Sequence, residues 1–316
     1  MPQTDPPRTD PPTVPDTALR EATDHYVDHR ELLFSVVYGM LGTVADTEDV
    51  LQETWLAWSA RHRDRTAPPV GHPRAYLVRV AVNQALARQE AVRRRRESYL
   101  GPWLPEPLVT GEDASAEVLR TESVSLALLV VLESLSPLER AVFVLREVFG
   151  YGNTEIAGIL GRTPAAVRQL GRRARRHVRA RRPRYEADPG LQRAVTGRFV
   201  EAALSGDVAT LMEVLAPDVT MWNDGGGKVR RASRRPIEGR DRVARFLVGI
   251  ATGRDPIREF THELVNDTPA ALLLREGELF AAVVLDLRGD RVSDIYTVAN
   301  PDKLAHLRPS TAGRTS

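Results

Sequence analysis

The chain has 316 residues, room for two or three domains of roughly 100–200 residues each, and at 42% hydrophobic and 27% charged residues it has the composition of an ordinary globular protein. Its longest strongly apolar stretch, near Val124–Leu132, is far below the roughly 18–20 residues that span a bilayer, so no membrane partner is expected; the absence of cysteine excludes disulfides, thiolate catalysis and cysteine-type zinc sites and points to a cytoplasmic protein. The net charge of +2 hides strong segregation: ten arginines lie between Arg162 and Arg184, with no acid from Ile156 to Tyr185, whereas Asp46, Glu48, Asp49 and Glu53 crowd one short stretch, which implies two different partners.

Residues 1–18 hold six prolines in the first seventeen positions, with neither a basic cluster nor an apolar core, and read as a disordered tail and not a signal peptide. From Leu19 to Arg96 the pattern is helical almost throughout. Asp24–Leu41 carries apolar residues at helical spacing, Asp46 is placed to cap a helix running through Trp58, and Pro73 opens another over Arg74–Arg96. Arg61–Gly71 (RHRDRTAPPVG) reads as a loop. A linker over 98–113 contains YLGPWLPEPL, with three prolines, a tryptophan and no helical period. A second helical unit is expected over 114–182. Beyond Pro183 and Pro189, helices at Leu191–Leu204 and Val208–Leu215 give way to Asp218–Trp222, Ala270–Leu274, Leu279–Leu285 and Val292–Val298, which read as strands of an antiparallel sheet, with a helix at Asp241–Ile250. A third, α+β domain is therefore expected over 188–307, followed by a disordered tail, 308–316.

The strongest motif lies at 153–182. Asn153 or Thr154 is expected to cap a short helix bearing Ile156, Ala157, Ile159 and Leu160, and Gly161 then turns the chain. Thr163 caps a second helix with Pro164 at its first position, where the missing N–H costs nothing. Val167, Leu170, Ala174 and Val178 make one buried stripe, with Arg168, Gln169, Arg172, Arg175, Arg176 and Arg179 opposite. An apolar back and a guanidinium-rich front behind a tight turn suit the major groove of duplex DNA. Arg168, Gln169 and Arg172 are assigned to base or near-base contact, Arg173, Arg175, Arg176 and Arg179 to phosphates, and Thr163 at the helix entry joins the DNA-binding set. The bland alternative, a solvated arginine face, is disfavoured by the lack of interleaved acids.

Three blocks, LLFSVVYGMLGTVADTEDVLQETWLAW (32–58), HPRAYLVRVAVNQALARQEAVRRRR (72–96) and LSPLERAVFVLREVFGYGNTEIAGILGRTPAAVRQLGRRARRHVR (135–179), resemble the extracytoplasmic-function (group IV) RNA polymerase sigma factors in order and spacing. The resemblance implies an all-α σ2 domain at 19–97 and an all-α σ4 domain with the helix-turn-helix at 114–182. It also implies two partners: the RNA polymerase core, through its β and β′ subunits, and promoter DNA, double-stranded at −35 and single-stranded at −10. It sets ADTEDVLQETW against the β′ clamp helices, with Asp46, Asp49, Gln52, Glu53 and Trp55 as the docking set and Val50, Leu51 and Leu56 packing behind. An acidic first turn that merely satisfies the helix dipole is the alternative for Asp46 and Glu48. The Arg74–Arg96 helix would meet the −10 element through Arg79, Asn83 and Arg88, with the Arg61–Gly71 loop holding a flipped base. Arg79 fits a surface position equally well. Ala87, Gln84 and Gln89 depart from the common family pattern, which leaves the fine −10 contacts open.

Residues 188–307 resemble SnoaL-like members of the cone-shaped NTF2 superfamily, in which helices cover a sheet and form a pocket. Three short signatures match the SigJ-like sigma factors that carry such a domain: WLPEP (Trp103, Leu104, Pro105, Glu106, Pro107), DGGGK (Asp224, Gly225, Gly226, Gly227, Lys228) and NPDKL (Asn300, Pro301, Asp302, Lys303, Leu304). All fifteen residues are expected to join domains or regulate them. The prolines hold the linker extended, so little entropy is lost when it docks on the third domain or on σ2, with Trp103 and Leu104 as anchors; a stiff spacer is the alternative. Asp224 and Lys228 are able to pair across an interface, and NPDKL either latches onto σ2 or closes a turn. SnoaL relatives include enzymes, yet Asp218, Asp224 and His262 sit in no catalytic spacing, so no catalytic residue, cofactor or metal ligand is assigned. A small-molecule ligand in the third domain remains an expectation. The chain thus reads as a sigma factor regulated by a fused domain. The rivals are a helix-turn-helix regulator that never joins polymerase and a SnoaL-type enzyme or ligand sensor fused to a DNA-binding module.

Overall fold

The computed structural model describes residues 16–64, 66–110, 124–181, 188–230, 232–253, 257–307 and 314–315. Helix α1 (Asp16–Leu41) begins inside the stretch expected to be a disordered tail. The reason is local: between Pro15 and Gly39 the sequence has no proline or glycine to interrupt a helix. The rest of that tail, 1–15, lies outside the described residues.

Helix α2 (Val44–Arg63) starts one residue after Thr43, so Asp46 is not its cap. It lies in the first turn, where its carboxylate accepts from Thr43 Oγ1 at 2.6 Å. Helix α3 (Pro73–Glu97) opens on Pro73 as expected and packs on α1 and α2. At the centre of the three, Trp58 is fully buried and its indole N–H donates to the Ala22 carbonyl at 2.8 Å.

The second set comprises α4 (Leu126–Leu132), α5 (Pro137–Phe143) running into a π-helical turn at Val144–Val148, α6 (Asn153–Leu160) and α7 (Pro164–Arg181). Its expected start at 114 lies outside the described residues. The two sets are not separate bodies, because Val36, Val37 and Leu41 share one apolar core with Leu129, Val142, Val144 and Val167. Arg140, only 4% exposed, ties them further by donating from Nε to the Gly39 carbonyl at 2.9 Å and from a terminal nitrogen to Glu133 at 2.7 Å.

The third domain carries α8 (Pro189–Ser205), α9 (Val208–Val214), α10 (Arg240–Ala251) and α11 (Pro301–Leu304). Its strands are β1 (Leu215–Asp224), β2 (Ile237–Glu238), β3 (Glu259–Val265), β4 (Thr268–Arg275), β5 (Glu278–Arg288), β6 (Arg291–Val298) and β7 (Arg314–Thr315). They form one sheet in the order β2-β1-β6-β5-β4-β3-β7. Two expectations need correction. The sheet is mixed, not antiparallel throughout: after β1 the chain turns back only over the two-residue β2 before entering α10, and the other neighbour of β1 is β6, with which it pairs parallel. The expected C-terminal tail also contributes β7, which pairs with β3, whose outer edge would otherwise present unpaired backbone groups.

Both faces of this sheet are covered. Met221, Ala271, Val283, Leu285 and Ile295 lie under α8, α9 and α10, whereas Ala270, Leu272, Ala282, Val284 and Tyr296 pack with Leu104 of the linker and Leu126 and Ala127 of α4. Helix α4 is therefore shared, its Leu129 and Leu132 entering the helical core while Leu126 and Ala127 meet the sheet. Among the described residues, no helix is long and apolar enough to cross a membrane.

Candidate nucleic-acid interface and interdomain clasp

Helices α6 and α7 form the helix-turn-helix. Gly161 ends α6 in the left-handed conformation, at φ 60 and ψ 39, and Thr163 Oγ1 accepts from the Ala166 N–H at 3.2 Å to open α7. The first cap differs from expectation. Gly152 precedes α6 and gives its N–H to Glu155 at 2.7 Å, while the Asn153 side chain is drawn away from the helix end as an acceptor for Arg146. Val167, Gly171, Ala174 and Val178 are the buried stripe of α7, with Leu170 half-buried. Gly171 replaces Leu170 at the closest approach, where an added Cβ would sit 3.4 Å from Val142. Thr163, Arg168, Gln169, Arg172, Arg173, Arg176 and Arg179 are exposed together. Arg175 departs from them: it is half-buried and 3.6 Å from Glu147, an acid contributed by the π-helical turn and not by the arginine segment itself.

The acidic stretch of α2 and the −10 candidate Arg88 turn out to be one cluster. Arg88 reaches Asp46 at 3.0 Å and Glu53 at 3.2 Å and also bonds Asp49, while Arg95 reaches Asp46 at 2.5 Å. Burial disfavours ionisation of Asp46, but hydrogen bonds from Thr43, Arg95 and Arg88 outweigh it and hold the carboxyl below its ordinary value. Gln52 is exposed, and Trp55 is half-buried against Tyr26, ring centroids 5.2 Å apart. Leu56, expected to pack, is 56% exposed, since it points off the helix face that meets α1. Arg79 is exposed. Asn83 donates to the Arg79 carbonyl at 2.7 Å and to the Ile159 carbonyl of α6 at 3.2 Å, so it sits against the helix-turn-helix. The departures at Gln84 and Gln89 are satisfied locally, Gln84 accepting from Thr54 and Gln89 donating to the Met40 carbonyl, both at 2.9 Å.

WLPEP, DGGGK and NPDKL meet in one clasp. Asp224, fully buried, accepts from Tyr99 OH, from the Leu104 N–H at 2.9 Å, from the Gly226 N–H at 3.2 Å and from Lys303 Nζ at 2.7 Å. Lys303, 3% exposed, also donates to the Leu104 carbonyl and lies 3.3 Å from the Trp103 ring centroid and 4.9 Å from that of Tyr99. Burial pushes the Lys303 ammonium down to about 8 against the opposing pull of Asp224. Asn300 caps α11 by accepting from the Asp302 N–H at 3.1 Å and donates to Tyr99 OH at 2.8 Å. Pro301 opens α11, and Leu304 is buried under the sheet. Lys228 pairs with Asp302 at 2.6 Å in the open, where the pair adds little. The glycines are required by crowding: at Gly226, φ 58, an added Cβ would lie 2.5 Å from Asn300, and at Gly225 it would lie 2.4 Å from Ala232.

The other half of the linker grips the helical part. Glu106 accepts the Val44 N–H at 2.6 Å, standing in for the missing side-chain cap of α2, and its carboxyl is raised by burial. The Glu106 N–H donates to Gly42 at 2.9 Å, Pro105 packs beside Gly42, and the Pro107 carbonyl lies 2.9 Å from His306 Nε2.

One residue at this junction went unrecognised in the sequence. Asn266, 1% exposed at φ 51, donates to Tyr38 OH at 3.0 Å and to the Val124 carbonyl at 3.2 Å, and accepts from the Leu108 N–H at 3.1 Å. It thus touches the first helical set, the linker and the second set at once. The signal was available: Asn266-Asp267, both at positive φ, is a two-residue hairpin turn of the kind that Asn favours.

The third domain also encloses a cavity of about 450 Å³. Asp218 pairs with Arg288 on the surface, Asp224 belongs to the clasp, and His262, its basicity lowered by burial, faces Gly197; none of the three lines this cavity.

The sigma-70 region 2 family matches residues 25–97, and the sigma-70, region 4 family matches residues 125–178. The chain is 36% identical to the ECF RNA polymerase sigma factor SigJ of Mycobacterium tuberculosis, over 87% of this chain and 90% of the relative. It is 29% identical to a probable ECF RNA polymerase sigma factor SigI of the same organism, over 90% of this chain and 95% of that one. The crystal structure of M. tuberculosis SigJ is similar over 90% of this chain and 98% of its own length, with a TM-score of 0.70 at 33% identity. With a helix-turn-helix, a region 2 helical unit and an α+β domain in the same order along nearly the whole length, the chain belongs to the extracytoplasmic-function RNA polymerase sigma factors.

Proposed function

We propose that this sigma factor is held by its third domain in a closed pose, and that it must open before it directs initiation. The observation that carries the reading is the Asn83–Ile159 contact. It lays α6 of σ4 against the α3 surface assigned to the −10 element, while Arg88 and Arg95 neutralise the acids assigned to the β′ clamp helices. In this reading Arg168, Gln169 and Arg172 read −35 bases, and Arg173, Arg176 and Arg179 hold phosphates. The clasp and Asn266 fix σ2 and σ4 relative to each other, which gives the third domain its control over polymerase.

The test uses the absence of native cysteine. The paired variant Asn83→Cys and Gly158→Cys, the latter an exposed position next to the Ile159 carbonyl, is joined by a thiol-reactive cross-linker and assayed for run-off transcription with core polymerase. Loss of initiation only in the cross-linked pair, with each single variant active after the same treatment, supports the closed pose as an inhibited state. Undiminished initiation by the cross-linked protein refutes it.

A further inference from the structure

The cavity in the third domain lies between α8, α10 and the sheet face turned away from the linker, and its volume of about 450 Å³ falls among small-molecule sites. Phe199, Met221, Phe246 and Leu273 make its walls apolar. Its charged lining is Arg230 and Arg275, and among the described lining residues none is acidic. On the floor, Asn223 of β1 and Thr297 of β6 are partners in register, so their side chains stand side by side on one face. Asn223 is 5% exposed, and neither its Nδ2 nor the Thr297 hydroxyl has a hydrogen-bond partner. Two adjacent buried donors left unsatisfied on an apolar floor carry a cost that a ligand oxygen removes.

We propose that this cavity binds a lipophilic molecule with a carbonyl-type oxygen, a ketone or a carboxylate, seated on Asn223 and Thr297, and that its occupancy loosens the interdomain clasp. Strand alternation supplies the coupling. Asn223 faces the cavity, whereas the next residue, Asp224, faces the linker and holds Tyr99, Leu104 and Lys303. A second connection runs through Val229, Arg230 and Ala232, which line this cavity and also a neighbouring one of about 280 Å³ bounded by Leu100. That wall has open volume on both sides and room to shift. The coupling deepens the regulatory reading above; the binding site stands without it.

Calorimetric titration of the full chain with decanoate, 2-decanone and decylamine tests the site. Decanoate or 2-decanone should bind, and protonated decylamine, which offers no acceptor, should bind at least about tenfold more weakly. Preference for decanoate identifies an acid as the ligand source; preference for 2-decanone identifies a neutral carbonyl compound. Asn223→Leu and the isosteric Thr297→Val should each weaken binding about threefold to tenfold, and Ala203→Phe, which fills the cavity, should abolish it. Equal affinity for all three probes, no binding of any, or unchanged affinity in Thr297→Val overturns the site. Exchange of the Leu104 amide hydrogen should quicken when the tighter probe saturates the protein. Unchanged exchange overturns the coupling alone. Neither readout involves polymerase, so a failure here is distinct from a failure of the closed-pose reading.

Discussion

Replacing Lys303 by methionine keeps most of the side-chain volume and removes only the charge. In the native protein that charge sits 2.7 Å from Asp224 Oδ2 and 3.3 Å from the Trp103 ring centroid, with 3% and 0% of the two ionised side chains exposed. Asp224 would retain Tyr99 OH and the Leu104 and Gly226 N–H groups, but as a buried carboxylate with no counter-charge. Breaking such a pair from one side costs about 3–5 kcal/mol, because the orphaned ion is worth less than the pair was. In urea, where a domain loses about 1–3 kcal/mol of stability per molar, the transition reported by tryptophan fluorescence should move down by roughly 2 M. Asp224→Asn alone strands the ammonium and should cost a similar amount. The double variant strands neither ion, so its cost should fall short of the summed single costs by at least about 1.5 kcal/mol. Additivity to within about 0.5 kcal/mol would show that the two groups do not pair, and the clasp as described would be wrong.

Burial also gives the pH dependence a defined sign at Glu106. Its carboxyl is held above its ordinary value, so the folded chain keeps that proton more tightly than the unfolded one; native stability should fall as pH rises through the carboxylate range, and equal slopes for the parent and Glu106→Gln would reject the assignment. Asn266→Ala should cost about 2–4 kcal/mol in thermal or chemical unfolding, and about 1 kcal/mol more than Asn266→Gly, which tolerates φ 51; indistinguishable alanine and glycine variants would mean that the turn carries no strain. Arg172→Ala should lose about 1–3 kcal/mol of binding at one −35 base, whereas Arg176→Ala should weaken binding to all duplexes and lower the salt slope by about one; identical behaviour on scrambled DNA removes the division between base and phosphate contacts.

Much of this architecture was legible because local chemistry and tertiary packing agree. Pro73, Gly161 and Pro164 mark helix boundaries by steric rules that hold in any context, and the arginine face of α7 follows from the spacing of Val167, Ala174 and Val178. Strands were harder. β3, EFTHELV, has no clean alternation because one of its neighbours is the short β7, and β2 is two residues long. In β4 and β5 the runs AALLL and AAVVL were readable as strands, and their near-continuous apolarity already signalled burial on both sides. What covers the second side was not readable, since Leu104 and Leu126 precede β4 and β5 by more than a hundred residues. The acid cluster shows the limit most clearly: Asp46, Asp49 and Glu53 looked available, and only the fold brings Arg88 and Arg95 across to them.

The position of α4 and the proline linker beneath the sheet bears on how such proteins can be cut and recombined. Severing the chain after α7 would not liberate two tidy DNA-handling modules; it would strip the lid from Leu104, Leu126 and Ala127 and leave a greasy underside open to water. A shortened protein that clumps would say nothing about regulation, and a chimera that grafts a foreign tail should bring the matching proline segment with it. Segments distant along the chain behave here as one heritable part.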